Sequence, residues 1–82
     1  KPMKANNKII AEFMGDKPKE LLYTTLYIDY SSSWDLLMPV VDKCYQEHMS
    51  SHLAYEVMTC DIARVYKAVL TFIKEYNNEL KK

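Results

Sequence analysis

The sequence predicts a small α+β domain, in the order helix, strand, helix, strand, helix with a two- or three-stranded sheet. Three observations carry this expectation. Apolar residues recur three and four positions apart in three stretches, alternate with polar ones in two others, and the whole spans 82 residues, the size of one domain.

Asn6 and Asn7 are good helix N-caps, and Ile9, Ile10, Phe13 and Met14 follow at the spacing of one helical face. Gly15 suits the left-handed residue after a helix, and Asp16-Lys17-Pro18 forbids continuation. Residues 1–5 read as a flexible tail of the single domain 1–82. From Leu21 to Tyr30 the composition turns to Leu, Tyr, Thr and Ile, with Leu22, Leu26 and Ile28 on one side and Tyr23, Tyr27 and Asp29 on the other: a strand. Tyr30-Ser31-Ser32 forms the turn out of it, and Ser32 with Asp35 reads as an acidic capping box.

Trp34, Leu37, Met38, Val41, Cys44, Tyr45 and His48 share one face of a second helix, which Pro39 is expected to kink or to split from its first turn. His52 to Thr59 alternates Leu53, Tyr55 and Val57 against Ala54, Glu56 and Met58 and reads as a second strand. Thr59 or Asp61 then caps a third helix, whose broad face holds Ile62, Val65, Tyr66, Val69, Phe72, Ile73, Tyr76 and Leu80. The expected core is Trp34, Leu37, Val41, Val65, Val69, Phe72 and Ile73.

Composition bounds the function classes. Hydrophobic residues make up 49% and charged residues 27%, ordinary for a folded domain, and eleven basic against eleven acidic residues give no bulk attraction for nucleic acid or anionic lipid. No apolar run reaches membrane-spanning length and no secretory leader is recognised, so two reduced thiols, Cys44 and Cys60, in the cytoplasm are expected rather than a disulfide.

Three blocks resemble a known family: Asn6 to Gly15, Ser32-Ser33-Trp34-Asp35-Leu36-Leu37-Met38-Pro39-Val40-Val41-Asp42-Lys43, and Val65 to Asn77. They are similar to small proteins of bacterial phages and prophages grouped as the phage ABA sandwich domain. The resemblance implies a layered α-β-α domain of phage or prophage origin, placed in the host cytoplasm. It implies no activity and no catalytic residue.

Four constellations remain to be weighed. Cys44, His48, His52 and Cys60 are zinc-ligand types, with 44 and 48 one helical turn apart, but the plainer reading is a buried thiol and a helix-terminal histidine. Arg64, Lys67, Lys74 and Lys81 form a basic stripe on the last helix suited to phosphate contacts, although a solvated face is the commoner meaning of such a row. Tyr23, Tyr27 and Tyr55 form either core or an aromatic surface for a partner. Ser31, Ser32 and Ser33 have no positional reason to meet a histidine, and one glycine leaves no phosphate loop.

The expectation is therefore a non-enzymatic protein-protein interaction module without cofactor or metal. Its simplest form is a homodimer through a strand edge or the tyrosines. A nucleic-acid-binding accessory protein using the basic stripe is the alternative, and no membrane contact is expected.

Overall fold

In the computed structural model, residues 2–81 are described, with side chains from Lys4 onward. The order is α1 (Pro2–Met14), β1 (Lys19–Glu20), β2 (Thr25–Leu26), α2 (Trp34–Glu47), α3 (Ser51–Val57) and α4 (Ile62–Leu80). It is a small α+β domain whose sheet has two antiparallel strands, Lys19 opposite Leu26 and Glu20 opposite Thr25.

Helix α1 starts earlier than its asparagines suggest. Residues 2–5, expected as a tail, open the helix, and Lys1 lies outside the described residues. Asn7 is consequently no cap: it sits in the helix interior, 5% exposed, and accepts a hydrogen bond from Tyr66 Oη at 2.7 Å. The end of α1 is where Gly15 placed it. With φ at +75° it permits the Asp16 N–H to reach the Ala11 carbonyl at 2.9 Å and its own N–H to reach that of Glu12 at 3.3 Å, which closes the last turn.

Of the run expected as one strand from Leu21 to Tyr30, only Thr25–Leu26 is strand, and it pairs with Lys19–Glu20 in a tight hairpin. Leu21 N–H donates to the Thr24 carbonyl at 2.7 Å, leaving Leu22 and Tyr23 as the loop. Neither loop residue has positive φ, so the turn needs no glycine or asparagine and carries no turn signal in the sequence.

Asp29 builds the entry to α2: its Oδ1 accepts from Ser31 N–H (3.1 Å) and Ser31 Oγ (2.6 Å), while its carbonyl accepts from Ser32 Oγ (2.7 Å). Ser33 rather than Ser32 is the cap, its hydroxyl accepting from Leu36 N–H at 3.3 Å. The helix then runs as one element through the exposed Pro39. Its inner face is Leu37, Val40, Val41 and Cys44, so the expected face was turned too far toward Met38 and His48, which are exposed.

The expected second strand at His52–Thr59 is helix α3. Leu53 and Val57 are four apart, a spacing that satisfies both a strand and a helix, and the hydroxyl of Ser50 caps the helix by accepting from Leu53 N–H at 3.2 Å. Tyr55, midway between them, consequently points outward. A turn through Cys60, held at φ +57°, leads to Asp61, whose carboxylate caps α4 by accepting from Ala63 and Arg64 N–H.

The core lies among the four helices. Ile10, Leu37, Val40, Val41, Cys44, Leu53, Val65, Val69 and Ile73 are fully buried, and Trp34 and Phe72 pack against them half-buried. Tyr30 seals the junction of the loops before and after the hairpin through a short hydrogen bond to the Asp16 carboxylate. Burial first, and that carboxylate second, hold its hydroxyl well above the ordinary phenol range.

Candidate functional site

The hairpin stands outside this core. Of its apolar residues between 19 and 28, Tyr27 packs against the buried cluster, while Leu21, Leu22, Tyr23, Leu26 and Ile28 are exposed, Leu22 by 86% and Tyr23 by 92%. Five large apolar side chains are exposed within eight residues, a density unlike the scattered single residues normal on a folded domain. Its footing is narrow. Lys4 Nζ on α1 donates to Thr24 Oγ1 at 3.3 Å, and Tyr30 holds the chain where the hairpin returns to α2.

The three tyrosines named from the sequence do not share one strand face. Tyr23 is at the hairpin tip, Tyr27 lies on the core, and Tyr55 is 65% exposed on α3. Leu22 and Leu26, on the opposite side of the alternation from Tyr23 and Tyr27, are exposed as well.

The basic stripe is present on α4 but unequal. Arg64 is bound twice by Glu56, at 2.9 Å through Nε and 3.3 Å through Nη2, which neutralises its charge locally. Lys67, Lys74 and Lys81 are exposed. Three cations spread over four turns of a neutral chain give a weak phosphate-binding surface.

The thiols and imidazoles are not gathered. Cys44 is fully buried in α2, and burial pushes its thiol up to about 12, whereas Cys60 is exposed in the turn before α4. No group of three or more metal-ligating side chains is found among the described residues. His48 and His52 instead line an open groove of about 700 Å³ between the end of α2 and the last turns of α4. Its wall sets Glu47, Glu75 and Glu79 beside Phe72 and Tyr76; Phe72 stacks on Tyr76 at 6.3 Å, Phe13 behind them meets Tyr76 edge-on at 5.7 Å, and Tyr76 Oη donates to Glu47 at 2.9 Å. That carboxylate raises the Tyr76 pKa.

No family model, curated protein or solved structure matches this chain. No helix among the described residues is long and apolar enough to cross a membrane. The hairpin gathers five of the exposed large apolar residues into eight positions.

Proposed function

We propose that this chain is a non-enzymatic protein-protein interaction module that makes its contact through the β1-β2 hairpin. One observation carries the reading: Leu21, Leu22, Tyr23, Leu26 and Ile28 are exposed together on an element that contributes almost nothing to the core. Leaving such a surface in water is unfavourable, by roughly 25 cal/mol for each Å² of apolar area, and a protein contact recovers that free energy.

The engagement of the serines supports a non-catalytic role. Ser31 and Ser32 build the turn on Asp29, and Ser33 and Ser50 cap helices. The nucleic-acid alternative has less support, because Glu56 neutralises Arg64. Phage or prophage origin and a setting in the cytoplasm of a bacterial host belong to the same proposal and rest on the three sequence blocks alone.

Photo-crosslinking tests the reading. With benzoylphenylalanine replacing Tyr23, irradiated cells producing the protein are expected to yield protein adducts, whereas the same probe at Tyr55 yields few. Equal yields at the two positions, or none at 23, would overturn it.

A further inference from the structure

We propose that the occupant of this surface is a second copy of the chain, joined antiparallel along the outer edge of β2 with Thr25 at the two-fold axis. This rests on the hairpin being the contact surface and names its partner. The ladder decides which groups face outward. Leu21 and Thr24 form a hydrogen-bonded pair, and the register sets Glu20 opposite Thr25. Alternation along an antiparallel ladder therefore turns the main-chain N–H and C=O of Glu20 out on one edge and those of Thr25 out on the other. Among the described residues the sheet contains β1 and β2 alone, so neither edge has a third strand there.

The two edges differ in chemistry. Lys17, Pro18, Lys19 and Glu20 guard the β1 edge with charges and a proline that has no N–H to donate. Thr25–Leu26 and the residues flanking them, from Tyr23 to Ile28, read Tyr-Thr-Thr-Leu-Tyr-Ile, with no charge, proline or glycine, and of types that favour strands. An edge of that kind is a template for another strand.

Self-pairing is favourable on one edge and not on the other. Centred on Thr25, the two-fold sets Thr25 against Thr25 and Leu26 against Thr24, pairs that stabilise or are neutral, and brings Tyr27, just past β2, toward the loop residue Tyr23. Centred on Glu20, it would set two carboxylates face to face, and centred on Lys19, two ammonium groups. The pairing through Thr25 also brings Tyr23, nearly fully exposed in one copy, beside the Tyr27 that rests on the core of the other. Eleven charges of each sign leave two copies without net repulsion. The product is a four-stranded sheet, past the three strands at which a sheet becomes stable by itself.

Sedimentation equilibrium from micromolar to millimolar concentration tests the pairing with Thr25→Lys and Thr25→Glu, each alone and mixed in equal amounts. Thr25 sits at the edge, half-buried and outside the core, so both variants are expected to keep the wild-type circular dichroism. Wild type dimerises, each variant alone dimerises about fivefold more weakly or worse, and the mixture recovers wild-type affinity. A wild type that stays monomeric throughout, or a mixture no tighter than its components, overturns the proposal. A Leu22→Lys/Tyr23→Lys variant separates the two levels. Loss of the dimer in that variant alone keeps the hairpin as contact surface and refutes the Thr25 pairing, whereas a dimer indifferent to every variant refutes both.

Discussion

Tyr66→Phe removes a single hydroxyl from the buried hydrogen bond that ties α1 to α4. Tyr66 is 6% exposed and Asn7 5%, and the Tyr66 Oη to Asn7 Oδ1 distance is 2.7 Å. Without the hydroxyl the Asn7 carbonyl has lost its donor in a site poor in water, and an orphaned buried acceptor costs about 1–3 kcal/mol. About 2 kcal/mol is a large part of the few kcal/mol expected for a domain this small. It corresponds to a melting temperature lower by about 8–16 °C, or a urea midpoint lower by about 2 M. Removing both partners, in Asn7→Leu/Tyr66→Phe, is expected to restore most of the loss, because no polar atom then remains unpaired. Urea unfolding followed by Trp34 fluorescence and far-ultraviolet circular dichroism measures Tyr66→Phe, Asn7→Leu and the double variant. A Tyr66→Phe change within about 0.5 kcal/mol of wild type, the range of a surface substitution, refutes the reasoning, as does a double variant weaker than the sum of its singles.

Three further outcomes follow from the same structure. Pro39 is exposed within α2 and withholds the N–H that the Asp35 carbonyl lacks, so Pro39→Ala should stabilise the domain by about 1–2 kcal/mol in urea unfolding. Burial raises the Cys44 thiol from 9.0 to about 12, so above pH 9 the unfolded chain releases a proton that the native one keeps. Its contribution to stability is whole below pH 9 and falls by up to about 1.4 kcal/mol per pH unit above it; urea midpoints between pH 8 and 10 should decline less steeply in Cys44→Ala than in wild type. Lys67→Glu with Lys74→Glu should leave retention on DNA or RNA columns at 150 mM salt, roughly the physiological ionic strength, no lower than that of wild type; a marked loss would revive the nucleic-acid reading.

The parts of the fold that were legible are those where one physical signal stands alone. Gly15 marks the end of α1 because only a left-handed residue closes that turn cheaply, and α4 announces itself through an apolar face repeated over five turns. Other residues carry two meanings. Asn7 has the chemistry of a cap and of a buried acceptor, and only the distant Tyr66 decides between them. Leu53 and Val57 fit a strand or a helix equally; the Ser50 cap before Leu53 was the usable signal. The hairpin was hidden because its Leu22-Tyr23 loop uses negative φ and therefore ordinary residues. Its surface is half legible: Tyr23 stands out as a surface candidate, whereas the exposure of Leu22 and Leu26 does not, because alternation reports a face without saying whether anything covers it.

Hydrogen exchange resolved by residue, recorded across a concentration series, tests the hairpin account most directly. Protection of the Thr25 amide is expected to rise with concentration as the β2 edge finds its partner, while the Glu20 amide on the guarded edge stays unprotected and the α4 core stays protected throughout. Protection at Thr25 that ignores concentration, or that rises equally at Glu20, would contradict it.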